Sequence, residues 1–226
     1  MSGPDVRAFT VGPVQENSYI VRAHSDATSA LLIDPGDEAE RLSQAIDALG
    51  VEIAAILITH CHFDHIGAVT PLARETGAPV YCPEIERPVL ADVMSWVPPG
   101  FGPFESYEAD HVLAGGERLN LADLDIEVIF TPGHSPGHLT YAVPGALLSG
   151  DVLFQGSVGR VDLPGGDWPT LERSIAGLLE VYPPQTVVYP GHMGVTTLGH
   201  ERESNPFLSE LRARVPREQA ADSPAA

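Results

Sequence analysis

Apolar residues along this chain come in short blocks, and the period within each block assigns its structure. Val6–Val11 and Ser18–Val21 have strand length and composition, with Gly12-Pro13 marking the bend between them. Leu31-Leu32-Ile33 predicts a third strand, ended by Asp34-Pro35-Gly36. Leu42, Ala45, Ile46 and Leu49 then recur three and four apart, which predicts a helix over 38–49 stopped by Gly50. The run Ala54–Ile58 is short and rich in aliphatics, as in a buried strand. Ala68, Leu72 and Ala73 pattern a second helix, closed by Gly77, and Pro79–Cys82 reads as a short strand. Leu119–Leu121 and Ile126–Phe130 are strands around an acidic turn. Leu139–Val143 and Ala146–Leu148 form a hairpin about Pro144-Gly145. Trp168–Val181 is a helix with Leu171, Ile175, Leu178 and Leu179 on one side, and Thr186–Tyr189 is a strand. Strands interspersed with helices in this way predict a layered α/β domain. Trp96–Phe104, a mixture of aromatic residues with proline and glycine, has neither period. It reads as an irregular surface loop or as a flap whose Trp96, Phe101 or Phe104 touches a substrate.

Candidate chemistry gathers where several of these strands end. Thr59-His60-Cys61-His62-Phe63-Asp64-His65 follows the aliphatic run directly. His60 and His62 are two apart, so an extended segment points both the same way. Thr131-Pro132-Gly133-His134 follows the strand ending at Phe130, and Ser149-Gly150-Asp151 follows the run at Ala146–Leu148. Tyr189-Pro190-Gly191-His192 ends the last strand. Each brings a ligand-type side chain to a strand end with glycine nearby, where backbone bends tightly. Imidazoles with carboxylates in such a cluster suit zinc, iron or manganese. His24, His111 and His200 lack such a context and read as surface or structural. His138 reads either as a partner behind the ligands or as an ordinary strand residue.

The order His-x-His-x-Asp-His, distal His, Gly-Asp and final Gly-His resembles the signature of the metallo-β-lactamase fold, over residues 17–192. Thr131–His138 and Gly159–Asp167 resemble the glyoxalase II-type thioester hydrolases in their short single-domain branch. The resemblance implies a four-layer αββα sandwich. It also implies two divalent metal ions, zinc being expected and iron or manganese also accommodated. His60, His62 and His134 would hold the first ion and Asp64, His65 and His192 the second, with Asp151 bridging them. A metal-bound hydroxide would attack the carbonyl of a 2-hydroxyacyl thioester of glutathione or a similar small thiol, and Asp64 would also aim that hydroxide. Thr59 and Ser149 read as supports behind the ligands or as loop caps, and Asn17 as a turn or hydrogen-bonding residue. Arg160, in a glycine-rich segment, would bind a substrate carboxylate in bidentate fashion or else pair with Asp162 or Asp167. Alternatives that fit the same ligands are a persulfide dioxygenase using a single iron and a lactonase.

Composition narrows the partners. Among 226 residues the formal net charge is −19, and all 12 basic residues are arginine. An acidic surface disfavours nucleic-acid phosphates and anionic membranes and suits a small-molecule substrate. Cys61 and Cys82 do not form a disulfide framework and read as reduced thiols, Cys61 in a packing role. No apolar run is long enough to span a bilayer, and the first residues lack a signal core, so a cytoplasmic location is expected. A single domain is expected over 1–216, with 217–226 as a frayed tail.

Overall fold

A computed structural model describes residues 3–209. Its first sheet runs in chain order: β1 (Asp5–Val11), β2 (Glu16–Arg22), β3 (Ser29–Ile33), β4 (Glu52–Leu57), β5 (Val80–Pro83) and β6 (His111–Leu113). β1, β2 and β3 pair antiparallel, and β3 to β6 pair parallel. Parallel neighbours need crossovers. These contain α1 (Ala39–Leu49), α2 (Phe63–Ile66), α3 (Val69–Thr76) and α4 (Arg87–Ala91). α1 ends on Gly50, whose left-handed backbone turns its amide back to Asp47 and Ile46.

The second sheet has β7 (Arg118–Leu121), β8 (Leu124–Phe130), β9 (Leu139–Val143) and β10 (Ala146–Gly150) as an antiparallel meander. A small hairpin, β11 (Leu153–Phe154) and β12 (Ser157–Val158), follows. α5 (Trp168–Val181) then leads to β13 (Val187–Pro190), which lies parallel to β10 and pairs with the edge strand β14 (Thr196–Thr197). α6 (Leu198–Ser204) comes after it.

Alternation within the strands builds the layers. Tyr19, Val21, Leu31, Ile33, Ala55 and Leu57 face the other sheet and meet Leu124, Ile126, Val128, Leu139, Tyr141 and Leu148. Between them Ile20, Leu32 and Ile56 face the opposite way, onto Leu42, Ile46 and Leu72 of α1 and α3. On the second sheet Leu147 and Val188 face Leu171, Ile175 and Leu178 of α5. Both faces of each sheet are therefore buried, which is why Ala54–Ile58 reads as an unbroken apolar run. The result is the αββα sandwich expected. The strand β6 was not legible, being three residues long with His111 and Val112 exposed. Residues 96–104 are irregular, as expected. The expected tail, 217–226, lies outside the described residues. Among the described residues no helix is long and apolar enough to cross a membrane.

Polar ties join the two sheets at one end. The Tyr141 hydroxyl donates to the Ile58 carbonyl at 2.7 Å, the Leu139 amide to the Thr59 carbonyl at 2.8 Å, and the Tyr19 hydroxyl to the Pro190 carbonyl at 2.6 Å. All three lie beside the strand ends that carry the histidines.

Candidate metal centre

β4 delivers His60 and His62, α2 presents Asp64 and His65, and the segments after β8, β10 and β13 deliver His134, Asp151 and His192. All seven converge. His60 Nε2, His62 Nδ1 and His134 Nε2 form a triangle with sides of 3.1, 2.8 and 3.1 Å. Asp64, His65 and His192 form a second group, with Asp64 Oδ2 lying 3.3 Å from His192 Nε2 and 3.9 Å from His65 Nε2. Asp151 stands between the groups. Its Oδ1 is 3.5 Å from His65 Nε2, and its Oδ2 is 3.4 Å from His134 Nε2 and 3.6 Å from His192 Nε2.

Hydrogen bonds on the far side of four of the five rings fix their tautomers. Thr59 Oγ1 donates to Asp34 Oδ2 at 2.6 Å, so it accepts from His60 Nδ1 at 3.1 Å. His134 Nδ1 donates to the Arg160 carbonyl at 2.7 Å. His60 Nε2 and His134 Nε2 therefore point lone pair at lone pair across 3.1 Å. That arrangement is repulsive unless a cation, or a proton on His62 Nδ1, sits between them. Its size suits metal–nitrogen bonds of about 2.0 Å. His65 Nδ1 donates to Asp34 Oδ2 at 3.0 Å and His192 Nδ1 to the Gln15 carbonyl at 3.2 Å, which turns both Nε2 atoms inward. Among the described residues three buried side-chain atoms lack a hydrogen-bond partner, and two of them are His65 Nε2 and Asp151 Oδ1. Leaving such atoms unpaired costs on the order of 1–3 kcal/mol each. A cation between them removes that cost, so the residues fit a metal pair.

Electrostatics separate the two groups. Burial, then the neighbouring His65, His62 and His134, holds His60 well below the usual imidazole range, and burial with His134 pushes His62 down to about 4. At His65 burial acts downwards but Asp151, Asp34 and Asp64 outweigh it, and the imidazole is held well above its usual range. His192 is raised by Asp64 and Asp151 against its burial. Burial would raise Asp151 and Asp64, but the facing histidines win and both are lowered. The carboxylates draw positive charge into this end of the site.

Several supporting residues were not legible in the sequence. Asp34 accepts from the Thr59 amide, the Thr59 hydroxyl and His65, which occupies its oxygens and makes it a support for the ligands. The signal available was Asp34-Pro35-Gly36 at a strand end, the same punctuation that marks the ligands. Buried Glu86 accepts from the Cys61 amide, Ser135 and the Gly137 amide. Asn17, read as a turn or hydrogen-bonding residue, takes the second role: its Nδ2 donates to the Pro190 and Met193 carbonyls at 3.1 and 2.9 Å, on either side of His192. His138 is a buried partner, with Nδ1 on Thr131 Oγ1 and Nε2 accepting the Asp151 amide, each at 3.0 Å. Thr59 is likewise a support. Ser149 makes only 3.4 Å contacts to the Gly150 and Leu153 carbonyls. His111 stacks on Tyr81, and neither it nor His24 or His200 joins the cluster.

Cys61 Sγ points away from the cluster to Cys82 Sγ, 3.5 Å off, and burial raises its thiol well above the usual range. Arg160 is exposed, with both guanidinium hydrogen bonds, each 2.7 Å, on Asp162. Phe101 and Phe104 stack by Phe63, at centroid distances of 4.6 and 6.2 Å, while Trp96 is exposed. The irregular segment thus rests on the residue between two candidate ligands.

Residues 11–192 match the model of the Metallo-beta-lactamase superfamily. The chain is 40% identical to the probable metallo-hydrolase YqgX of Bacillus subtilis, over 90% of this chain and 97% of that protein. It is 34% identical to the hydroxyacylglutathione hydrolase GloC of Haemophilus influenzae, over 91% and 98%. Among solved structures it is similar to the BLEG-1 B3 metallo-beta-lactamase (38% identity, TM-score 0.85, 91% of this chain and 100% of that one). TTHA1623 in a di-iron-bound form is also similar (41%, 0.73, 89% and 100%). ETHE1 from Myxococcus xanthus, at 24% identity and TM-score 0.75, covering 94% and 92%, shares the fold.

Proposed function

Since the chain belongs to the metallo-beta-lactamase superfamily, we propose that it is a metal-dependent hydrolase of acyl thioesters, acting on a 2-hydroxyacyl thioester of glutathione or a similar small thiol. The observation that supports metal chemistry is the pair of lone pairs facing each other at His60 and His134, beside the unpartnered His65 Nε2 and Asp151 Oδ1. Support for the thioester is the similarity to GloC over nearly its whole length. His60, His62 and His134 would hold one ion and Asp64, His65 and His192 another, with Asp151 shared. Divalent ions bound there supply an activated water and a polarised carbonyl oxygen. Zinc suffices for that, and the di-iron form of TTHA1623 makes iron the other metal to test.

The chain's own residues do the positioning. Asp34, Thr59, Arg160 through its carbonyl, and Gln15 through its carbonyl hold four imidazoles in one tautomer each, so the ligand atoms need no rearrangement. Asp64 is the least enclosed carboxylate of the cluster and aims the attacking water by accepting its proton in a hydrogen bond. Cys61 and Ser135 are turned to other partners, so among the described residues neither a thiol nor that hydroxyl is offered as a nucleophile, and no covalent acyl intermediate is expected. Phe101 and Phe104, resting on Phe63, form an apolar ledge for the acyl group. Arg160 binds a substrate carboxylate by exchanging Asp162 for it.

Protein purified without chelator should hold close to two metals per chain. The zinc form, kept anaerobic, should release free thiol from S-D-lactoylglutathione. Full turnover with one metal per chain overturns the two-metal reading. Oxygen uptake with glutathione persulfide by the iron form, without thioester cleavage by the zinc form, would assign the alternative, a persulfide dioxygenase. That alternative is supported by a likeness to ETHE1 that carries the fold alone. A second hydrolytic reading, β-lactam opening, is favoured by the 38% identity to BLEG-1 and is tested on the same preparation with a chromogenic cephalosporin.

A further inference from the structure

Glu86 is 5% exposed, ends the 3-10 turn Glu84–Glu86, and lies outside every motif that bears a ligand. Its neighbour Ile85 is 56% exposed, so the turn itself is at the surface while this one side chain is directed inward. Oε2 accepts the Cys61 amide at 2.5 Å. Oε1 accepts the Ser135 hydroxyl and the Gly137 amide, the latter at 2.9 Å. Three donors face its two oxygens. Gly137 leaves the space it occupies: a Cβ there would lie 2.7 Å from Glu86 Cγ.

The donors come from two loops that leave different sheets. Cys61 is flanked by His60 and His62 after β4, and Ser135 directly follows His134 after β8. These are the three histidines of the triangle. We infer that Glu86 is a positioning residue that clamps the His60–His62 loop to the His134 loop and so sets the spacing of the three-imidazole position alone. The inference rests on the reading of those histidines as metal ligands. The other position has a separate brace, Asn17, whose amide bonds flank His192.

That separation makes the test. Zinc titration against a competing chromophoric chelator gives the two affinities, and NMR of the imidazole ring protons tells which histidines each equivalent reaches. In Glu86→Gln the side-chain amide keeps one acceptor and turns a donor towards one of the two loops. Zinc at His60, His62 and His134 should weaken about 10- to 100-fold, the range for loss of a group supporting a ligand. Zinc at Asp64, His65 and His192 should bind as before. Asn17→Ala should give the mirror result. Ser135→Ala, a milder change for the case in which Glu86→Gln does not fold, should weaken the first position severalfold. Unchanged affinities in Glu86→Gln or in Ser135→Ala, or equal weakening at both positions, would make Glu86 a strut of the fold and overturn the inference. Wild-type protein that takes up no zinc would instead overturn the metal reading itself, and the inference with it.

Discussion

Asp34 receives the Thr59 amide, the Thr59 hydroxyl and the His65 ring, and so orients one histidine of each group. The clustering of the seven candidate residues was legible because their chemistry is local: four of the seven lie within six residues. Asp34 and Glu86 were not, because their roles depend on neighbours 25 to 51 positions away. In the proposed reaction Asp64 would both hold a metal and aim the attacking water. Asp64→Ala should keep the fold and lower turnover by on the order of 100-fold. Steady-state rates alongside metal content check this, and normal turnover with normal metal content would remove Asp64 from the chemistry. The two groups should also differ in their response to pH. His65 is raised above its usual range by its carboxylate neighbours, so a proton competes with an incoming metal up to a higher pH than at an ordinary imidazole. Affinity at that position therefore rises with pH until the raised value is passed. His62, pushed down to about 4, is already neutral there and has no proton to lose. Zinc titrations between about pH 6 and pH 8 should show proton release and a steep slope for the Asp64–His65–His192 position. No release at that position would contradict the assignment.

Among the elements, strands with both faces buried and helices with one apolar side were read correctly, since their period survives in the sequence. The edge strands β6 and β14 and the helix α6 were missed, being two to seven residues long with little pattern. The segment 159–167 keeps a function for its backbone whatever its side chains do, because the Arg160 carbonyl holds His134. The Arg160–Asp162 pair lies in water, with side chains 62% and 68% exposed, and such pairs contribute little. Asp162 thus competes weakly with a substrate carboxylate. Asp162→Ala should lower KM for a carboxylate-bearing thioester by up to about fivefold. Arg160→Ala should raise KM and leave kcat nearly unchanged, since the grip is equal in ground and transition states. A KM unmoved by either substitution would confine Arg160 to its surface pair.

For the whole molecule, the formal charge of −19 opposes any anionic substrate at long range. Salt shortens that repulsion to about 10 Å at 0.1 M. Initial rates should therefore show KM for a glutathione thioester falling as salt rises from low ionic strength, while KM for an uncharged thioester stays level. Identical salt responses would place the charge away from the approach. The spread of ligands over both sheets has a consequence for how the chain matures. During synthesis His60, His62, Asp64 and His65 emerge together, while His134, Asp151 and His192 follow much later. The nascent or unfolded chain already owns a four-residue chelator, whereas the complete pair of positions exists only after the sandwich has closed. Metal bound to that early stretch stabilises the unfolded form as well as the native one, which reduces the net gain from binding. Refolding in excess zinc should then be slower than refolding in chelator followed by zinc, with release from the early stretch as the slow step.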